Sequence, residues 1–256
     1  EVKGMELEGV YTARDYLTAF NLNNPKIEFY SKSKPKKPET EGKTAIVIGG
    51  GNAAMDVAGV AKEYGKYKEV KVVYRRADFP AFPEELRANK KRDVKFVVKR
   101  TPAEIIGKDG VAKSLKLKVL NLGEPDESGK RKMIDTGNYQ YIKADHIIFA
   151  LGSKPNKKLI DDLGFKTDSK GNILINPDTG RAVRKDGTEI EKVFTGGDAS
   201  PNKETNKKLQ LLVAFAIADG LRCAEGVDGY LKEKDMFDDV RASMDPSSGK
   251  KLNRLA

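Results

Sequence analysis

The chain has 256 residues, and its 48 basic against 38 acidic side chains leave a formal net charge of +10. That length predicts one or two domains with a buried core, and the lack of an apolar stretch of about 18 residues argues against a membrane-spanning helix. The single cysteine, Cys223, excludes a disulfide framework, a cysteine-ligated iron–sulfur cluster and a C-x-x-C redox pair within these residues. Without a charged-then-apolar leader we expect no signal peptide, and a cytoplasmic, reducing location.

The positive charge is spread in a pattern typical of an ordinary solvated surface. Lysines and acids are interspersed along most of the chain, and the one dense basic run, residues 32–37, is interrupted by Pro35 and followed by Pro38. This lysine–proline composition predicts an exposed linker. The chain has no tryptophan, and the basic run lacks interleaved aromatic residues that could stack on bases. We therefore expect neither nucleic acid nor a membrane as a partner.

In chain order, the pattern first predicts a helix over residues 11–20 and then a βαβ unit. Residues 44–48 form a continuous apolar run, which is typical of a parallel strand buried on both faces. A glycine turn follows at 49–51, and apolar residues at helical spacing predict a helix over 52–64. With a second strand over 70–74, the strand, turn, helix and strand fit within about 30 residues.

The middle of the chain changes character. After an acidic helix start at 84–86 and a third strand over 94–98, four short alternating stretches between 103 and 142 are separated by polar, glycine-containing turns. This pattern predicts an antiparallel β-meander inserted into an α/β fold. Residues 144–151 then return to a buried strand that ends at Gly152.

The last third predicts two short strands, a helix and a polar end. One strand covers 171–175, and the other begins at 193 and ends in a glycine pair before Asp198. A strongly apolar helix is predicted over 209–224, and residues 233–256 are polar and weakly periodic.

The turn after the first apolar strand matches the dinucleotide fingerprint G-x-G-x-x-A, with Gly49, Gly51 and Ala54 at the three positions. The first glycine permits a tight turn, the second lets the backbone approach a pyrophosphate, and the small third residue lets the helix pack on the strand. The pattern lies between a predicted buried strand and a predicted helix, which is the context that supports it. The helix N-terminus then offers free N–H groups to the phosphates.

The residues after the second strand indicate which nucleotide binds. A site for NAD places an acidic residue there, to accept hydrogen bonds from the ribose 2′-hydroxyl. This chain places Arg75 and Arg76 there instead. A guanidinium binds a 2′-phosphate that a carboxylate would repel, so the sequence favours NADP(H).

Other polar residues give weaker indications. His146, the only histidine, lies in an apolar strand, and we expect a structural role for it. Cys223 lies on the apolar helix as a small core residue, and one histidine with one cysteine makes no zinc site. Glu84 and Glu85 either stabilise a helix N-terminus or contact the nicotinamide end of the nucleotide.

A family resemblance rests on several motifs in a fixed order. The motifs are IVIGGGNAAMD at 46–56, VVYRR at 72–76, FPAFPEE at 79–85, HIIFALGSKPN at 146–156 and FTGGD at 194–198. Together with residues 9–17, this order resembles the glutamate synthase small-subunit type of pyridine-nucleotide flavoprotein over roughly residues 4–232.

The resemblance implies a Rossmann-like, three-layer α/β domain for NAD(P), containing the β-meander, and an incomplete FAD-binding domain. The implied boundaries are 1–28 for a flavin-domain connecting segment, 29–151 for the NADP(H) domain, 152–232 for the C-terminal part of the FAD domain and 233–256 for the tail. The implied cofactor-binding residues are Gly49, Gly51, Asn52 and Ala53 for the pyrophosphate, Arg75 and Arg76 for the 2′-phosphate, Gly152 at a hinge near both cofactors, and Gly197, Asp198, Leu212 and Val213 for the flavin.

Two departures from the family pattern affect the implied function. Residues 1–42 contain neither the first FAD fingerprint nor the family's cysteine-rich iron–sulfur region, and residues 199–208 form a longer, lysine-rich loop. The resemblance implies hydride transfer between NADP(H) and FAD without a catalytic acid or base. Electrons would then pass to iron–sulfur clusters in a partner subunit or a missing N-terminal segment. The alternative is an NADP(H)-binding fragment or subunit that has no FAD and no independent activity.

Overall fold

A computed structural model describes residues 2–23, 36–125, 131–152, 155–169, 171–200 and 213–233. The chain divides into two compact units, Glu1–Gly152 and Ser153–Ala256. The predicted polar tail beyond residue 233, Leu212 and most of the lysine–proline run lie outside the described residues.

The first unit contains a parallel sheet, an antiparallel sheet and three helices. Its elements are β1 (Val10–Thr12), α1 (Ala13–Leu22), β2 (Thr44–Ile48), α2 (Asn52–Glu63), β3 (Glu69–Tyr74), α3 (Pro83–Lys91), β4 (Lys95–Val98), β5 (Arg100–Lys108), β6 (Val111–Pro125), β7 (Arg131–Lys143) and β8 (His146–Phe149). Five strands pair in parallel in the order β1-β8-β2-β3-β4. The other three form an antiparallel sheet in the order β5-β6-β7.

Side-chain alternation along β2 explains why this unit has three layers. Successive strand residues point to opposite faces of a sheet. Ala45 and Val47 belong to a core formed with α1 and α2, whereas Ile46 and Ile48 belong to a second core formed with the antiparallel sheet, including Leu115. The parallel sheet is therefore covered on both faces, which confirms the three-layer α/β fold with its inserted meander.

Several boundaries differ from the predictions for local reasons. The first helix begins at Ala13 because Thr12 caps it, with its side-chain oxygen accepting from the Asp15 N–H at 3.1 Å. The meander has three strands, because the third and fourth predicted stretches both lie on β7. They are separated by a register irregularity around Gly137, whose φ of +76° suits glycine.

The second unit is smaller. Its elements are α4 (Lys157–Asp162), β9 (Arg181–Val183), β10 (Glu189–Phe194) and α5 (Val213–Glu233), with β9 and β10 antiparallel. Its core contains Ile160, Phe165, Ala182 and Ile190. The strand predicted over 171–175 is wrong as a continuous element, because its residues make single bridges to two different partners. No helix in the described ranges is both long and apolar enough to cross a bilayer.

Candidate functional site

The glycine turn lies where β2 ends and α2 begins, at the carboxyl edge of the parallel sheet. Gly49 has a φ of +149°, and a Cβ there would lie 2.4 Å from the Ala150 carbonyl oxygen. Its N–H donates to the Val73 carbonyl at 3.1 Å. Only glycine fits this position, because the turn is held against the ends of both neighbouring strands.

Gly51 has the opposite surroundings. It is the N-cap of α2, and a Cβ built on it would meet nothing within 4 Å. No side chain of the described residues caps this helix, so its first N–H groups face the space beside the turn without a side-chain acceptor. Ala53 is exposed in the first turn, whereas Ala54 is fully buried and lets α2 pack closely. A helix N-terminus with this open approach fits a phosphate group.

Arg75 and Arg76 follow β3 directly. Because Val73 pairs with Ile48, the end of β3 lies beside the start of the glycine turn. Both arginines are exposed, and neither guanidinium has an ion pair or hydrogen bond within the described part of the chain. Two cationic side chains at the turn are thus available to bind a phosphate.

Two other exposed arginines of this unit are already paired. Arg87 contacts Glu84 at 2.8 Å, and Arg92 contacts Glu63 at 3.0 Å. In this respect Arg75 and Arg76 differ from Arg87 and Arg92, whose charges are balanced by neighbouring carboxylates.

The structure brings a further segment, residues 79–83, against the glycine turn. The Ala81 N–H donates to the Gly50 carbonyl at 3.1 Å, and the Phe82 N–H donates to Oδ1 of Asn52 at 2.9 Å. The sequence identified this segment only as a family motif and assigned Asn52 to the pyrophosphate. No local signal predicts these contacts, which join residues about 30 positions apart.

Gly152 closes the first unit at the same edge of the sheet. It has a φ of +88° and empty space around its Cβ position. Two residues earlier, the Ala150 N–H donates to the Ile48 carbonyl at 2.7 Å, so the chain leaves the sheet beside the turn.

The predicted flavin-side residues lie in the second unit. Gly197 has a φ of +63° and begins a single 3₁₀ turn in which the Asp198 side chain is exposed. Val213, at the start of α5, is 76% exposed. A cavity of about 640 Å³ lies beside α5 within the second unit, and Thr195 and Gly196 are among the residues that line it.

The surroundings of the remaining candidate residues are those of structural side chains. His146 is 5% exposed and is hydrogen-bonded through Nδ1 to the Tyr67 hydroxyl. Burial lowers the pKa of His146 to about 4, so the imidazole is neutral near pH 7. Glu84 and Glu85 lie in the first turn of α3, where the helix dipole favours negative charge. Cys223 is partly buried, and in the described ranges no three His, Cys, Asp or Glu side chains converge to hold a metal ion.

Similar sequences were found over most of the chain. The glutamate synthase [NADPH] small chain of Halomonas elongata is 31% identical over 232 residues, which cover 89% of this chain and 46% of that protein. The NADP(+)-dependent formate dehydrogenase subunit beta of Moorella thermoacetica is 31% identical over 199 residues, covering 77% of this chain and 26% of that protein. The chain therefore spans about half the length of the glutamate synthase small chains it matches.

Solved structures share the fold at low sequence identity. Mycobacterium tuberculosis FprA in complex with NADPH has a TM-score of 0.64 and 19% identity, covering 92% of this chain and 62% of that chain. T. acidophilum thioredoxin reductase has a TM-score of 0.62 and 21% identity, covering 91% and 61%. The family model for pyridine nucleotide-disulphide oxidoreductases matches residues 2–220. With the sheet, the glycine turn and this match in agreement, the chain belongs to the pyridine nucleotide-disulphide oxidoreductase family.

Proposed function

We propose that the first unit binds NADP(H), with the pyrophosphate at the glycine turn and the 2′-phosphate on Arg75 and Arg76. The observation that carries this proposal is the pair of exposed, unpaired guanidinium groups at the end of β3, among the described residues, beside an uncapped helix N-terminus. Gly49, Gly51, Asn52 and Ala53 supply the turn and the first residues of α2. An acidic residue, which would select NAD, does not occupy either position after β3.

The relatives support this choice of nucleotide. The Halomonas elongata and Moorella thermoacetica proteins carry NADPH or NADP(+) in their names, and each is 31% identical to this chain. FprA shares the fold and was solved with NADPH.

We further propose that the protein exchanges a hydride between NADP(H) and FAD. FAD, when bound, supplies the ring that accepts or donates the hydride. The chain's own residues hold the nucleotide and present the exposed Asp198 carboxylate, after Gly197, to the sugar chain of the flavin. Gly152, Leu212 and Val213 complete the assignment on the flavin side; Leu212 lies outside the described residues.

The onward path of the electrons lies with a partner. Cys223 alone cannot hold an iron–sulfur cluster, so we place the clusters and the ADP-binding fingerprint for FAD in a partner subunit or in a further segment of the protein. The relatives named as subunits, of which this chain spans only part, support that placement. A cytoplasmic location is part of the same proposal.

Two measurements test the proposal, the first on the purified chain and the second on its complex. Calorimetric titration should give an affinity for NADP+ at least about tenfold higher than for NAD+; equal affinities would contradict the nucleotide assignment. Co-purified with the partner subunit or further segment that carries the ADP-binding fingerprint, the protein should show the absorbance spectrum of bound flavin. If NADP+ binds but that complex never holds FAD, the alternative is supported, a nucleotide-binding fragment or subunit without independent activity.

A further inference from the structure

The side-chain oxygen of Asn52 accepts a hydrogen bond from a protein group. Asn52 is the first residue of α2, and Phe82 is the N-cap of α3. Because the Phe82 N–H is the donor at 2.9 Å, the acceptor must be the carboxamide oxygen of Asn52. The hydrogen bond therefore joins the N-terminal ends of two helices.

A second hydrogen bond acts on the turn itself. The Gly50 carbonyl accepts from the Ala81 N–H at 3.1 Å. In a planar trans peptide the carbonyl and the following N–H point in opposite directions. Anchoring the Gly50 carbonyl to Ala81 thus fixes the direction of the Gly51 N–H, which belongs to the residue with open space in front of it.

Aromatic packing holds residues 79–82 in place. The Tyr74 ring covers Gly50 so closely that a Cβ there would lie 2.6 Å from it. Tyr74 packs on Phe79 with ring centroids 5.1 Å apart, and Phe79 packs edge-on against Phe96 at 5.2 Å. The segment is therefore anchored to β3 and β4 as well as to the turn.

Asn89, near the C-terminal end of α3, joins α3 to α2. It is 1% exposed, and its amide group donates to the Met55 carbonyl at 3.1 Å and to the Glu85 carbonyl at 3.0 Å. Gly59 leaves room for this contact, since its Cβ position lies 3.6 Å from Oδ1 of Asn89. The start of α3 and the start of α2 are consequently held at a set separation.

We propose that residues 79–82, together with Asn52, form a clamp that pre-organises the phosphate-binding turn. In this assignment Asn52 is a positioning residue that acts through Phe82 and does not bind phosphate itself. Backbone donors already aimed at a ligand lose less freedom on binding, so the clamp raises nucleotide affinity without touching the nucleotide. The inference rests on the proposed NADP(H) function.

The test removes each end of the Asn52–Phe82 hydrogen bond separately. Phe82→Pro deletes the N–H donor at a residue whose φ of −60° and ψ of +141° already suit proline. Phe82→Ala keeps the donor and removes only the ring, and Asn52→Ala removes the acceptor. A hydrogen bond of typical net strength predicts that Asn52→Ala and Phe82→Pro each weaken NADP+ binding about fivefold. The double variant should be no weaker than either single variant, because both changes break one bond.

Specificity provides a second measurement. The pyrophosphate is common to both nucleotides, so loss of the clamp should lower NADP+ and NAD+ affinity by the same factor and leave their ratio unchanged. Amide hydrogen exchange of residues 79–84, where Pro80 and Pro83 leave only four amides, should show faster exchange at Phe82 in Asn52→Ala and restored protection in Asn52→Asp. Melting temperatures identify any variant whose lost affinity reflects unfolding.

The outcomes separate the clamp from the function on which it rests. If Phe82→Pro binds NADP+ as well as Phe82→Ala does while Asn52→Ala is impaired, Asn52 contacts the phosphate directly and the clamp is overturned. If additive losses appear in the double variant, the clamp is likewise overturned. A wild-type protein that binds neither nucleotide overturns the proposed function, and the role of the clamp with it.

Discussion

Replacing both Arg75 and Arg76 with alanine should remove the preference for NADP+ over NAD+. A hydrogen bond to a charged group contributes about 1.5–3 kcal/mol. Both side chains are exposed and solvent screens them, so we take the lower value, about 1.5 kcal/mol for each. The sum of about 3 kcal/mol corresponds to a loss of NADP+ affinity of about 100-fold, and each single variant should lose about tenfold.

The assay is calorimetric titration of both nucleotides against wild type, the two single variants and the double variant. NAD+ lacks the 2′-phosphate, so its affinity should change by no more than about twofold. The wild-type affinity for NADP+ should also fall more steeply with salt than that of the double variant, because exposed charge pairs are screened. Arg87→Ala is the matched control, since Arg87 is an exposed arginine already paired with Glu84.

Two results would refute this reasoning. Unchanged NADP+ affinity in the double variant would mean that the 2′-phosphate lies elsewhere. An equal loss for NADP+ and NAD+ would mean that the arginines act on the turn in general, or on its stability, and not on the 2′-phosphate.

Three further predictions concern the fold around the site. Gly49→Ala should lower the melting temperature markedly, since its Cβ would lie 2.4 Å from the Ala150 carbonyl oxygen. Gly51→Ala places its Cβ more than 4 Å from any described protein atom, so it should keep the melting temperature and lose nucleotide affinity. Thermal melts check the first result, and calorimetric titration together with thermal melts checks the second. Burial lowers the pKa of His146 to about 4, so below the unfolded-state pKa of about 6.5 the unfolded chain binds more protons than the folded chain. The free energy of unfolding, measured in urea, should therefore fall by about 2 kcal/mol between about pH 7.5 and about pH 5. The decrease should be smaller in His146→Asn. Leu115→Ala, at a fully buried position between the two sheets, should cost about 2–5 kcal/mol of unfolding free energy in urea; a cost under about 1 kcal/mol would contradict the packing described.

The βαβ unit could be predicted from local pattern because each of its elements is defined within a few residues. The run 44–48 is apolar throughout, and the strand occupies Thr44–Ile48, with every residue buried. Helical spacing of small apolar residues placed a helix over 52–64, and α2 covers Asn52–Glu63. The glycine turn is the segment between this strand and this helix, and Arg75 and Arg76 come directly after the next strand, so the position of the candidate phosphate site could also be predicted.

Contacts between distant residues were not predictable in this way. The pairing of Val10 with Ile147 and the bond from Phe82 to Asn52 depend on tertiary packing, and nothing in either local pattern indicates the partner. The prediction of a strand over 171–175 failed for a related reason. The apolar run at 173–175 suits a strand, but a continuous strand needs a neighbour to pair with along its length.

The position of β8 between β1 and β2 has a consequence for the order in which the first unit assembles. Val10 and Ile147 are 137 positions apart, and among the described residues β8 is the only strand that pairs with β1. Pairings between residues this distant in the chain form slowly, because a long loop must close first. During synthesis the glycine turn leaves the ribosome about 100 residues before Ala150, whose carbonyl packs against Gly49. We therefore expect the proposed nucleotide site to form only after β8 has joined the sheet, so that a ribosome-bound chain ending before β8 should not bind NADP+.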